Sequence, residues 1–327
     1  MARVRTEGLE LGTGSQIGLT GNASVQSSVV RTGLYALFLQ SNAATATLSL
    51  PAAAEYYIRF HWRYTALVAA RIMRWQSGLT ELGSIRQDST YVDVYVGTTK
   101  VADGAIALNP DTWYMIELHI KIADAGGVGE VRIEGIVDAT FSGDTKPGAD
   151  TTLDVFEWVR DVNSGNTYVD DIAANDVNGA SDTGYPGDGR VLAQMPDLTG
   201  DDTQWDGSDG DQTNNYALVD ERPHNSDTDY VYSNSVGARD LYMVTNSIPA
   251  NAVISRVWGE ARGRTTVAGD YLAMVVKTYN TEFTSPDVLL PTSYGAVMGT
   301  YWAVNPYTNS PWVVAEVNSL QIGPKAR

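Results

Sequence analysis

Cysteine is absent from the 327 residues, which excludes disulfides, thiolate zinc sites and cysteine nucleophiles. Cations are scarce as well: 22 Lys and Arg stand against 39 Asp and Glu, for a net charge of −17 and a pI near 4.4. A surface of that sign repels phosphate backbones, so no nucleic-acid partner is expected. Long apolar runs are missing too. The stretch "YTALVAARIM" is far too short to span a bilayer, and "MARVRTEGLELG" holds no apolar leader core. The expectation is a soluble product made in a cytoplasm, with no membrane insertion. No GxSxG, P-loop or dinucleotide fingerprint occurs. The glycine-rich "GTGSQIG" has no strand–helix context and reads as a loop.

What is present has a period of two. In "YYIRFHWRY", Ile58, Phe60, Trp62 and Tyr64 share one face while Arg59, His61 and Arg63 share the other. "TYVDVYVG", "DTWYMIELHIKI" and "GEVRIEGIV" alternate in the same way. These runs are rich in β-branched and aromatic residues and are bounded by Gly, Asn, Asp and Pro. "ALVAARIMRWQ" fits either a short helix or a buried strand. The pattern predicts an all-β chain. Residues 1–180 form a β-sandwich, 181–225 a Gly/Asp-rich connector with one strand at "RVLAQMP", and 226–327 a second, smaller β-sandwich domain. Near the end, "PWVVAEVNSL" predicts one short helical segment, with Pro311 near its start and Gly323-Pro324 ending it.

Chemistry is harder to place. Asp154, Glu157 and Asp161 in "DVFEWVRD" are the nearest approach to paired carboxylates, but Asp154 and Glu157 are three apart and point to opposite faces of a strand. Asp206, Asp209 and Asp211, set around glycines, offer oxygens to calcium, or else supply turn geometry. Asp170 and Asp171 offer a second calcium candidate. Adjacent strand residues face opposite ways, so at most one of these two is directed inward. Apart from calcium, no cofactor is expected. His61, His119 and His224 have no ligand at metal spacing, and each reads as an exposed or interface histidine. Trp62, Trp75, Trp113 and Trp158 fit either a sugar-stacking surface or a sandwich core.

Several segments carry a resemblance. "RTGLYALFLQ", "NPDTWYMIELHIKI", the hairpin through "GGVGEVRIEG" and the closing "TYVDDIAAND" make the first half similar to a concanavalin-like (laminin-G type) jelly roll. "YPGDGRV", "DERPHNSDTDYVYS" and the terminal "WAVNPYTNSPWVVAEVNSLQIG" resemble a family of tailed-bacteriophage virion structural proteins. That resemblance implies a non-enzymatic structural or decoration component of head, neck or tail, located on the virion. Its partners would be other virion proteins and copies of itself, as a trimer or higher symmetric oligomer. The alternative it leaves is a displayed carbohydrate-binding, receptor-binding protein whose partners are host surface glycans. Third comes a polysaccharide hydrolase.

Overall fold

In a computed structural model the chain separates into two compact units, the first ending at Val191 and the second running from Leu192 to Arg327. The structure describes residues 3–14 and 16–327. Met1 and Ala2 of the N-terminal stretch and Ser15 of the glycine-rich loop lie outside the described residues. Among the described residues no helix is long and apolar enough to cross a membrane.

The alternating runs of the first unit become strands. In chain order these are β1 (Arg3–Glu7), β2 (Gly18–Gln26), β3 (Ala36–Ala53), β4 (Glu55–Tyr64), β5 (Ala70–Ser77), β6 (Thr80–Asp88) and β7 (Tyr91–Val96). Then follow β8 (Thr99–Ala102), β9 (Tyr114–Lys121), β10 (Gly127–Ile133), β11 (Ile136–Gly143), β12 (Leu153–Arg160) and β13 (Thr167–Asp176). "ALVAARIMRWQ" resolves as strand: Ile72, Met73 and Trp75 of β5 are buried. Pairing is antiparallel throughout, in the order β11-β10-β9-β4-β13-β3-β12-β5-β6-β7-β8. The long β3 changes partners midway. Residues 37–39 pair with β13 and residues 44–53 with β12, and left-handed Asn42 and Ala43 stand between the two halves. Tyr56 and Phe60 of β4 meet Phe156 and Trp158 of β12 edge to face, with ring centroids 5.8 and 5.4 Å apart. These strands are not hydrogen-bonded neighbours, so their rings meet across the core of a two-layer sandwich.

The second unit holds β14 (Pro196–Thr203), β15 (Asp206–Gly207), β16 (Val231–Tyr232), β17 (Asp240–Val244), β18 (Glu260–Gly263) and β19 (Tyr271–Thr278). It continues with β20 (Thr281–Thr284), β21 (Val288–Leu289), β22 (Gly295–Met298), helix α1 (Val314–Asn318) and β23 (Gln321–Ala326). The main sheet runs β14-β17-β23-β19-β20. Trp312, Val317 and Leu320 pack with Val244 and Val276 in one small core, and Trp205, Leu272, Met274 and Val297 form another.

Two local expectations change. Helix α1 ends at Asn318, and Gly323-Pro324 lies inside β23, where Pro324 faces Met274. Glycine at 323 is required there, because a Cβ would come within 1.8 Å of the Asp240 carbonyl oxygen. In the predicted connector, residues 184–191 pack back on the first unit and strand begins only at Pro196, past most of "RVLAQMP". Backbone groups there are taken by side chains of the sandwich face, so the segment forms no free linker.

Candidate functional site: a polar sheet face under a strap

The even positions of β4 fill the core, which sends Tyr57, Arg59, His61 and Arg63 to the outer face. Register then builds a ladder. Glu130, His119, Tyr57 and Asn175 align across β10, β9, β4 and β13, and Arg132, Glu117, Arg59 and Ala173 form the next rung. The Tyr57 and His119 rings stack at 4.1 Å and 10°, and His119 Nε2 lies 2.8 Å from Glu55 Oε1.

Residues 185–191 cross this face as a strap. Tyr185 meets Tyr57 edge-on at 5.0 Å, takes the Arg132 guanidinium on its ring at 3.8 Å, and donates its hydroxyl to Glu130 at 2.6 Å. Burial, then the bond to Glu130, raises the Tyr185 phenol pKa. Burial opposes ionisation of Glu130, but the hydrogen bonds from Tyr185 and Arg132 outweigh it and hold the carboxyl below its ordinary value. Gly187 has φ +71°, and its N–H reaches Glu117 Oε1 at 2.8 Å. The Gly189 carbonyl accepts from Arg59 and from Arg31, and Asp188 pairs with Arg31 at 2.9 Å.

The strap explains why His61 is not exposed as expected. It is 2 % accessible, and its Nε2 lies 3.4 Å from Asp188. Burial first, then the charges of Arg31 and Arg59, push its pKa down to about 3. His119 does stand on the half-open part of the face.

The aspartate pair also departs from expectation, since both members are buried, at 0 % and 1 %. A bulge in β13 interrupts the register between Asp170 and Ala173, and Asp171 is left-handed at φ +50°, so strict alternation fails here. Asp170 accepts backbone N–H groups of Arg31, Thr32 and Asp171. Asp171 accepts from Val191 N–H at 2.7 Å, the Thr32 hydroxyl at 2.8 Å and Arg31 at 2.9 Å. Every carboxylate oxygen of the pair has a protein donor, so the pair clamps the 31–32 loop and the strap. Among the described residues, no group of three His, Asp or Glu is placed to hold a metal ion.

Of the tryptophans, Trp62, Trp75 and Trp158 are buried in the first core and Trp113 is half-buried. Three of the four are therefore withdrawn from any sugar-facing surface. Asp206 accepts from Gln212, Asp209 from the Asp211 N–H, and Asp211 from the Thr213 N–H and hydroxyl. These are local turn bonds. Asp154 caps the Gly78 N–H, while Glu157 and Asp161 pair with Arg74 and Arg71. The three acids of "DVFEWVRD" thus serve different neighbours.

Sequence reasoning passed over Tyr57, Glu117, Glu130, Arg132 and Tyr185. For the first four the signal lay in the polar half of each alternation, at 57-59-61, 117-119 and 130-132, while Tyr185 stands in a Gly/Pro-rich stretch without alternation.

No protein-family model matches the chain and no curated protein matches it. Solved structures match at low identity. The protein Cip1, described as cellulose induced, is 12% identical over 53% of this chain and 89% of its own, with TM-score 0.40. A sialidase is 11% identical over 54% of this chain but only 19% of its own, at 0.42. A carbohydrate esterase of the Shiga toxin-encoding bacteriophage phi24B is 16% identical over 49% and 89%, at 0.36. These likenesses concern the fold. The expectation of a non-enzymatic chain is corrected: a sialidase and an esterase stand among the neighbours, and a sandwich fold by itself does not exclude catalysis.

Proposed function

We propose that the chain is a carbohydrate-binding protein, and that it recognises its ligand on the outer face of β4, β9 and β10. The observation that carries this is the partly exposed group of Tyr57, His119 and Tyr185 rings bordered by Glu55, Glu130 and Arg132. Flat rings stack on the apolar faces of sugars, while carboxylates accept from and guanidinium donates to sugar hydroxyls. Hydrogen-bonded strands hold Tyr57 and His119 in place and the bond to Glu130 holds Tyr185, which lowers the ordering cost of binding.

Affinity electrophoresis of the full chain through gels containing neutral or acidic polysaccharides tests this. At least one polymer should retard the protein, and Arg132→Ala and His119→Ala should each abolish that retardation. Equal mobility of wild type in every gel overturns the proposal. Assay of new chain ends in the same mixtures reads whether a bound polymer is also cleaved. Display on a tailed-phage particle, as a self-associated oligomer facing host glycans, is a separate proposal. Mass spectrometry of purified particles, with this chain in fixed stoichiometry, is its test.

A further inference from the structure

The second unit displays an exposed aromatic pair. Tyr279 and Tyr307 are 55 % and 53 % exposed, yet their rings stack at 4.9 Å and 15°. Tyr279 and Asn280 form the two-residue turn between β19 and β20, with Thr278 facing Thr281 and both central φ angles positive, at 49° and 58°. Such turns favour Gly, Asn and Asp; a bulky aromatic held there is strained. Strain of this kind persists where the surroundings over-determine it.

Those surroundings are visible. Asn305 is fully buried, its Oδ1 accepts the Tyr307 N–H at 2.9 Å, and its Nδ2 donates to Thr278 Oγ1 at 3.3 Å. One buried amide therefore ties the Tyr307 backbone to the Thr278 side chain, the neighbour of Tyr279. The Tyr279 hydroxyl donates to Glu316 Oε1 at 3.0 Å, and Glu316 Oε2 accepts the Val313 N–H that opens α1. Beside the pair lies a cleft of about 390 Å³, lined by Lys277, Asn280, Val313, Glu316 and Gln321 together with Tyr279. Its lysine is already paired with Asp201, and its glutamate is occupied by the tyrosine hydroxyl and a backbone N–H. Gln321 is engaged as well, its Oε1 accepting the Asp201 N–H at 2.8 Å. What remains toward solvent is two rings, the exposed Val313 side chain and the exposed Asn280 amide, with the charges compensated.

The geometry points to a second carbohydrate site, the Tyr279–Tyr307 ledge and its cleft, which takes a neutral sugar unit through ring stacking and hydrogen bonds to the Asn280 amide. The compensated lysine selects against uronates, which would require an unpaired cation. This site lies wholly in the second unit and does not depend on the sheet face of the first.

Isothermal titration of the full chain with cellohexaose, mannohexaose and arabinohexaose, and with hexagalacturonate for contrast, tests it. At least one neutral hexaose should bind, and Tyr307→Ala and Tyr279→Asn should each weaken that binding about tenfold or more. Asn suits the left-handed turn, so Tyr279→Asn should fold, with wild-type circular dichroism as the check. Tyr307→Phe should retain binding. The proposal is overturned if no neutral hexaose binds, if binding survives both ring deletions, or if only hexagalacturonate binds. Sedimentation showing copies of the chain associated through the pair, with association lost in Tyr307→Ala, also overturns it. Titrating Arg132→Ala in parallel separates the two sites. Loss of hexaose binding there, with none in Tyr279→Asn, assigns the sugar to the first unit. Binding retained there but weakened in Tyr279→Asn assigns the sugar to the second site, whatever becomes of the first.

Discussion

Each unit places a tyrosine hydroxyl on a glutamate beside a second aromatic ring. Tyr185 donates to Glu130 at 2.6 Å next to Tyr57, and Tyr279 donates to Glu316 at 3.0 Å next to Tyr307. The first arrangement closes a strap over a charged sheet face; the second stands in solvent. The same contact therefore has different consequences. Where water is excluded, losing a partner leaves a buried group unsatisfied; where water is present, it takes the partner's place. Measured stability should follow burial and not the number of rings or bonds.

The largest effect is expected where the strap is clamped. Asp171→Ala removes the acceptor of the Val191 N–H, the Thr32 hydroxyl and the Arg31 guanidinium together. Arg31 is partly exposed and keeps Asp188, so the cost should be about 1–3 kcal/mol, the range for leaving a buried donor such as the Val191 N–H unsatisfied. Asp209→Ala in the open turn of the second unit should stay within about 0.5 kcal/mol. Urea unfolding of both variants checks this, and comparable midpoints would dissolve the contrast.

Next comes pH. Asp170 is raised from 3.8 to about 8, by burial and then by the charge of Asp171, against the three backbone N–H groups that it accepts. A raised carboxyl means that the folded state keeps a proton that the unfolded chain releases. Its contribution is complete below 3.8 and is lost as pH climbs toward 8. His61 works the other way. Lowered from 6.5 to about 3, it contributes fully above 6.5 and loses that contribution as pH falls toward 3. The two residues face each other across β4 and β13. From this pair alone, stability should be level between pH 4 and 6.5 and decline on either side, by at most about 1.4 kcal/mol per pH unit for each proton. Asp170→Asn should flatten the alkaline limb. A limb of unchanged slope would show that Asp170 is ionised in the fold.

How much of this was legible depends on distance along the chain. Trp62 is in phase with Ile58 and Phe60, and Trp158 with Phe156, so parity alone assigns both to the core. Residue type, which suggested a sugar platform equally well, carries no such information. The ladder partners were legible as polar halves of alternating strands. Their burial was not, because the roof over Arg59 arrives 130 residues later at Gly189, in a stretch whose Gly and Pro content reads only as turn. The β13 bulge was hidden for a similar reason. "VDDIAA" alternates no better and no worse than a regular strand, and the register break depends on what Asp170 and Asp171 must clamp. Tyr279-Asn280 gave no turn signal, since tyrosine is the residue that such a turn disfavours.

The smallest expected effects set the two tyrosines directly against each other. Tyr185→Phe deletes one hydroxyl and keeps the ring, but it strips Glu130 of a donor on a half-buried face, so about 1 kcal/mol should be lost. Tyr279→Asn deletes a whole ring together with the bond to Glu316. Yet the Glu316 oxygen regains water, and asparagine suits a left-handed turn position better than tyrosine does. These terms offset each other, and stability should move by no more than about 0.5 kcal/mol. Removing one oxygen from the first unit should therefore lower the urea midpoint more than removing a ring from the second. The reverse order would mean that the second unit's fold depends on its tyrosine ledge. The exposure and the strained turn would then be structural necessities, and the surface would no longer stand out as built for a ligand.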